Sequence, residues 1–324
     1  AGIAPIAAVI ARDAQNELSA IGVGSTLGVL LLGAVLPKVA TAGATSAAPH
    51  HLVVLGDMHL PGNNLALKAQ VLQTINSWRD VEAVVAVGDL CEGDGSAAEY
   101  AAIKSFFAPL TKPLLPVVGN HDFIYSRFQK GTKSVRGDAE ERETRLRRFR
   151  ETFGLSSIHY STTVGDFALI FLSTDAPGHL AEISPAQIDW FRQELARHRQ
   201  RPTLVFFHAP LEGTLDTYND KVNKPNFVAQ PAATLRTVLA ENPQVFLWVS
   251  GHTHTSPSRA SFAAPVNRYD GRVTNIHCTD MQDREVLWTN SLFLYPDRVV
   301  VKTFDHAKGA WLPKFEREIA PARA

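Results

Sequence analysis

Leu52-Val53-Val54-Leu55-Gly56-Asp57-Met58-His59 decides the fold: four apolar residues, a glycine, then an acid and an imidazole two positions apart. The same construction recurs along the chain. Ala83 to Val87 runs into Gly88-Asp89, Leu114 to Val118 into Gly119-Asn120-His121-Asp122, and Val245 to Val249 into Gly251-His252-Thr253-His254. Thr203-Leu204-Val205-Phe206-Phe207 closes on His208. Short unbroken apolar runs read as strands buried on both faces. An α/β sheet gathers the loops after its parallel strands along one edge. Asp57, His59, Asp89, Asn120, His208, His252 and His254, all potential metal ligands, therefore stand together at strand ends.

Working outward, helical patterns fill the gaps between these strands. Asn64 to Trp78 places Leu65, Leu72, Ile75 and Trp78 at helical spacing, and a second helix is expected near Ser96 to Phe107. The order β-α-β-α-β implies a parallel sheet covered on both faces. Asp138 to Phe153 reads as a charged amphipathic helix stopped by Gly154, and Ile158–Thr163 with Phe167–Leu172 as a hairpin. Ser184-Pro185-Ala186-Gln187 carries the signature of a helix start. A further helix is expected near Ala232 to Ala240. After Thr255 the texture changes to strands without helices, at Arg272–Cys278, Val286–Leu294 and Arg298–Phe304. That meander predicts a second, antiparallel-leaning sheet. The fold class expected is α/β with α+β edge character: two face-to-face mixed sheets flanked by helices, a four-layer sandwich.

Composition excludes several classes. The 324 residues are 45% apolar and 20% charged, ordinary for a globular chain, and 32 basic side chains balance 32 acidic ones. Such balance gives no overall attraction to nucleic acid or anionic lipid, and no specific nucleic-acid partner is expected. Two cysteines, Cys91 and Cys278, make no disulfide framework; Cys91 reads as a small buried loop residue, with a ligand role the alternative. Residues 1–49 differ from the rest. Ile21 to Leu36 is apolar apart from Ser25 and Thr26, and small residues follow. This resembles a secretory signal or membrane anchor, implying an extracytoplasmic location, periplasmic or secreted. A cytoplasmic chain with a packed N-terminal helix is the other reading, since Asp13 and Glu17 offset Arg12. The domain boundaries expected are a signal- or anchor-like segment at 1–49, one catalytic domain at 50–312 and a tail at 313–324.

Carboxylate, amide oxygen and imidazole together suit Mn, Fe or Zn rather than calcium or a thiolate-bound metal. Two cations 3.5–4 Å apart, as such sites have them, need a shared carboxylate, and the central Asp89 is the natural bridge. A lone histidine after a strand is more often structural. For His208 the surrounding blocks favour ligation, whereas His277, His179, His306 and Asp94 lack such support and Asp280 has no role beyond a turn.

The succession D-x-H, G-D, G-N-H-D, H, G-H-x-H resembles the calcineurin-like metallophosphoesterase superfamily, over Asp57 to His254. The resemblance implies that Asp57, His59, Asp89 and His254 hold one metal ion, and Asp89, Asn120, His208 and His252 the other. His121 would be the uncoordinated histidine facing the phosphate, with Asp122 as its orienting partner. Gly56, Gly88, Gly119 and Gly251 are expected to permit the backbone angles that turn each ligand over its strand end. The implied reaction is phosphoester hydrolysis by a hydroxide held between the two metals, with His121 protonating the leaving group.

Glu92 and His59 stand where purple acid phosphatases carry tyrosine and glycine, so that subfamily is disfavoured. The expected activity is a phosphodiesterase on a small or nucleotide-like phosphoester. Alternatives are a phosphomonoesterase, a nuclease, which the balanced charge disfavours, and a non-catalytic scaffold, which the intact ligand set disfavours. Two segments are placed to shape specificity: Phe123–Arg150, with Tyr125, Arg127, Lys130 and Lys133, and Glu212–Phe227, with Tyr218, Asn219, Asn223 and Lys224.

Overall fold

The computed structural model describes residues 48–128, 131, 133–219, 221–281 and 287–321. Residues 1–47 lie outside this set, and the leader or anchor expectation with them. No helix among the described residues is long and apolar enough to cross a membrane.

Strand β1 (His50–Leu55) shows why two layers of sheet form. Val53 and Leu55 point into one apolar cluster, Leu52 and Val54 into another, and all four are fully buried. Successive strand residues face opposite sides of a sheet, so an all-apolar strand must be covered twice. On one side lie helices α1 (Leu65–Ser77) and α2 (Ala97–Phe107), which contribute Val71, Leu72, Ile75, Ile103 and Phe107. On the other lies the second sheet. Burial of each such side chain is worth about 1.5–3 kcal/mol.

The first sheet runs parallel from β1 through β2 (Val81–Ala86) to β3 (Leu114–Pro116). Helix α3 (Asn120–Phe123) and a small hairpin, β4 (Tyr125–Arg127) with β5 (Val135–Arg136), follow. Helix α4 (Ala139–Phe153) opens on a capping box in which Asp138 and Glu141 each accept the other's backbone N–H, and it stops at left-handed Gly154. Phe149 and Phe153 return α4 to the first cluster. The second sheet follows: β6 (Tyr160–Val164), β7 (Phe167–Phe171), α5 (Pro185–Arg197) capped by Ser184, β8 (Thr203–Phe206), α6 (Ala232–Glu241) and β9 (Val245–Ser250). Strands β10 (Arg268–Tyr269) and β11 (Val273–His277) complete its order, β10-β11-β9-β8-β7-β6. Helices α5 and α6 cover its outer face through Ile188, Phe191, Leu235 and Val238. The four-layer α/β sandwich expected from the sequence is the fold observed.

Two expectations need correction. The late meander does not build a second sheet of its own. Strand β12 (Trp288–Tyr295) pairs antiparallel with β1, and β13 (Arg298–Asp305) with β12, so both widen the first sheet, while β11 joins the second, parallel to β9. Alternating apolar residues specify a strand but not its neighbour. Nor is 313–324 a mere tail. After β14 (Ala310–Trp311), strand β15 (Arg317–Ile319) pairs with β13, and Phe315 and Ile319 pack against the inter-sheet core. Three residues are too few to show a period in sequence.

Candidate metal centre

The carboxyl ends of both sheets meet at one rim. His208, after β8, spans the gap by directing Nδ1 to the Val87 carbonyl, 2.9 Å away, after β2. Around it ligand atoms converge in three overlapping sets, Asp57 with His59 and His254, Asp89 with His208 and His252, and His59 with Asp89 and His121; within each set the atoms lie within 4.8 Å of one another. In the first, His254 Nε2 stands 3.5 Å from Asp57 Oδ1 and 3.3 Å from His59 Nε2. In the second, His208 Nε2 stands 3.3 Å from Asp89 Oδ1 and 3.0 Å from Asn120 Oδ1. In the third, Asp89 Oδ2 stands 4.0 Å from both His59 Nε2 and His121 Nε2. All nine residues singled out from the sequence, Asp122 included, meet at this rim.

The donor chemistry fits cations. With its Nδ1 hydrogen given to Val87, neutral His208 aims a lone pair at two further acceptors, the Asn120 amide oxygen and the Asp89 carboxylate. Three acceptors facing each other are resolved only by a proton or a metal ion. The other imidazoles are oriented in the same way. His254 turns Nδ1 to the Asp280 carboxylate at 2.9 Å, and His252 turns Nε2 to the Asn226 carbonyl at 2.8 Å. That leaves His254 Nε2 and His252 Nδ1 for metal, an outer-partner arrangement common around metal-binding histidines.

Charge is unevenly distributed over this cluster. Burial works against ionisation of Asp89, yet His208, His121 and His59 hold its carboxyl well below the usual range. Burial also opposes charge on His208 and His254, but Asp89 lifts the first to about 9, and Asp57 with Asp280 the second to about 10. His59 and His252 are pushed down to about 3, chiefly by burial. Without metal, therefore, His208 and His254 carry protons at neutral pH that bound ions would displace.

His121 is not oriented by Asp122. The Asp122 carboxylate accepts the backbone N–H groups of Cys91, at 2.8 Å, and Gly119, at 2.7 Å, and ties two ligand loops together. Burial and then Asp89 push its carboxyl up to about 7. The His121 ring instead directs Nδ1 to the Gly93 carbonyl, 3.1 Å away. Cys91 is fully buried, and burial pushes its thiol well above the usual range, which agrees with the structural reading of that residue.

The glycines also act differently from expectation. Of the four, Gly88 alone has a positive φ, 92°. The left-handed backbone lies mainly at the ligands: Asp57 (29°), His59 (45°), Asp89 (49°), His252 (65°) and His254 (51°). Non-glycine residues there carry strain that the surroundings must hold, a pattern concentrated at functional sites. Gly119 and Gly251 provide room instead. A Cβ on Gly119 would meet Asp89 N at 2.3 Å, and one on Gly251 would meet Asp57 Oδ2 at 2.2 Å.

Sequence reading missed Asp280, Gly93, Asn226 and Glu99 as partners of the site, because a carbonyl or a carboxylate distant along the chain leaves no motif. Both specificity segments reach the rim. Tyr125 and Phe128 set ring edges against His121, with centroids 5.4 and 4.3 Å away, and Phe227 stacks on His252 at 5.6 Å. Tyr218 Oη lies 2.8 Å from Thr255 Oγ1. Arg127 and Lys133 are exposed, and Lys130 lies outside the described residues. His277 is buried among Asn267, Asn275 and Asn290, away from the ligand sets.

Comparison with known proteins gives four findings. A family model for the calcineurin-like phosphoesterases matches residues 50–256. The 3′,5′-cyclic adenosine monophosphate phosphodiesterase CpdA of Pseudomonas aeruginosa is 27% identical over 214 residues, 63% of this chain and 69% of that protein. The CpdA of Haemophilus influenzae is 25% identical over 195 residues, 59% of this chain and 62% of that protein, just under two thirds of its length. A dimetal phosphatase from Danio rerio shares the fold, with a TM-score of 0.58 and 15% identity over 85% of this chain and 100% of that one.

Proposed function

From the premise that this chain belongs to the calcineurin-like phosphoesterase family, and is a metal-dependent phosphoric ester hydrolase using two ions of the Mn, Fe or Zn kind, we propose that it cleaves phosphodiesters of small, nucleotide-like molecules. The observation that carries the diester reading is the likeness to the two CpdA proteins, both named as cyclic AMP phosphodiesterases. The rim geometry supplies the means.

In this reading Asp57, His59, Asp89 and His254 hold one ion, and Asp89, Asn120, His208 and His252 the other. When bound, such a pair makes hydroxide available from water at neutral pH and offsets the charge of the phosphoryl oxygens. The chain's own residues do the rest. The backbone N–H of His121 fixes Asp89 Oδ1 at 2.9 Å, and that of His252 fixes both Asp57 oxygens, at 2.9 and 3.0 Å. His121, with Nδ1–H donated to the Gly93 carbonyl, presents Nε2 to the reacting phosphoryl group and, as imidazolium, delivers its Nε2 proton to the leaving oxygen, which leaves the neutral Nδ1–H ring. Phe128 and Phe227 flank the centre with ring surface on which a nucleobase stacks. Residues 21–36 support export of the chain, tested by protease accessibility on intact cells.

The test of substrate class is hydrolysis of bis(4-nitrophenyl) phosphate, 4-nitrophenyl phosphate and 3′,5′-cyclic AMP by protein loaded with Mn, Fe or Zn. A higher kcat/KM for the diesters is expected. Preference for the monoester would overturn the diester reading and leave a phosphatase.

A further inference from the structure

The loop Gly93-Asp94-Gly95 is held at every one of its backbone polar groups. Its three successive N–H groups all donate to one side chain, the Glu99 carboxylate of α2: Gly93 to Oε1 at 2.7 Å, Asp94 and Gly95 to Oε2 at 3.0 and 2.9 Å. Of its three carbonyls, that of Asp94 accepts from Arg145 Nε and that of Gly95 from Arg148 at 2.7 Å, both on α4. The remaining one, Gly93, faces His121 Nδ1. Gly95 (φ 67°) leaves no room for a side chain, since a Cβ there would stand 2.2 Å from the Asp122 carbonyl. Two helices thus clamp a glycine-flanked loop whose one carbonyl not taken by α4 meets the histidine ring beside the metal sites.

We infer that Glu99 is the positioning residue for His121, acting through the Gly93 carbonyl. This rests on the assignment of His121 as proton donor above. An imidazole ring swings about two side-chain torsions, and one hydrogen bond to a fixed carbonyl chooses both the nitrogen that carries hydrogen inward and the direction of the other. A carboxylate collecting three N–H groups makes that carbonyl a rigid acceptor. A glutamine of the same shape offers one oxygen, and its NH2 group confronts at least one donor, so the loop must shift. Neither Glu99 nor Gly93 bonds to any of the seven side chains assigned to the two ions, so the effect falls on proton delivery and not on metal content.

The test uses Glu99→Gln and Glu99→Asp in the zinc-loaded full chain. The substrates are a 4-nitrophenyl phosphodiester, whose leaving group needs little protonation, and the matching phenyl diester, whose leaving group needs more. E99Q is expected to lower kcat on the phenyl diester by about tenfold or more with KM within about twofold, to change the 4-nitrophenyl reaction far less, and to leave two zinc ions per chain. E99D, which keeps a carboxylate, is expected to recover part of the loss. In a His121→Ala background E99Q adds nothing. A long-range ¹⁵N spectrum of the imidazoles, taken at a pH where the His121 ring is neutral, supplies a readout without substrate: the Nδ1–H tautomer in the parent, a mixture of tautomers in E99Q. Equal losses on both substrates, loss of zinc, or an unchanged His121 tautomer would each overturn the positioning role. Absence of all diester hydrolysis in the parent defeats the proposed function instead, and the spectrum still decides the role of Glu99.

Discussion

Asp280 and Asp122 show how far a side chain's part in the rim depends on where its oxygens point. Asp280 is buried, with Oδ2 2.9 Å from His254 Nδ1. An acidic partner fixes the imidazole's tautomer and raises its basicity as a ligand, so Asp280→Ala is expected to weaken binding at the Asp57–His59–His254 set by about 10–100-fold. Competition with a chromophoric chelator measures it, and unchanged affinity would refute the coupling. Asp122→Ala has another outcome. It strands the buried N–H groups of Cys91 and Gly119, and loss of a partner by a buried donor costs about 1–3 kcal/mol each. Urea unfolding should show a loss of that order. His121→Ala should leave metal content intact and lower kcat by about 10²–10⁴. The convergence of the candidate ligands was legible because each block of them follows a strand end. Asp280 was not, since nothing in the chain near His254 announces it.

At the level of elements, helices and strands were read from period, caps and breakers. Asp138 with Glu141, Ser184 with Gln187 and left-handed Gly154 act as their residue types dictate. Sheet order was not legible, because pairing depends on which exposed ladder a strand meets, and β12 meets β1 across most of the chain's length. The turn after β9 carries the sharpest element-scale consequence. Gly251 approaches the Asp57 carboxylate so closely that a methyl group would displace it, while the φ of Gly251 is one any residue adopts. Gly251→Ala is therefore expected to keep the fold, seen as an unchanged circular dichroism spectrum, but to retain one ion per chain in place of two by elemental analysis. Retention of both ions would show that Asp57 yields without losing its ligand geometry.

Across the whole molecule, charges balance but buried imidazoles do not behave alike, and this sets the response to pH. His277 is fully buried at the end of β11, where its Nε2 accepts from Asn267 Nδ2 at 2.7 Å and, among the described residues, no carboxylate pairs with it. Burial, with Arg317 nearby, holds its pKa at about 3, and burial holds that of His306 at about 4. An unfolded chain protonates both near 6.5. Stability from these residues is therefore complete above pH 6.5, falls as pH drops below it, and levels off near pH 3–4. At pH 5 the loss is about 2 kcal/mol for each. His208 and His254 have the opposite sign in the metal-free protein. Their folded values are raised, so their contribution is full below 6.5 and is lost as pH climbs through about 9 and 10. Chelated protein should thus be most stable near neutrality and weaken toward both extremes, while the metal-loaded form gains affinity as pH rises, because ions displace protons from these two histidines. Urea unfolding of the chelated protein at pH 7.5 and pH 5 checks the acid limb. His277→Gln will be less stable at both values, yet the drop between them should shrink by about 2 kcal/mol relative to the parent. An identical drop in both proteins would place the acid sensitivity elsewhere than in the enclosed histidine.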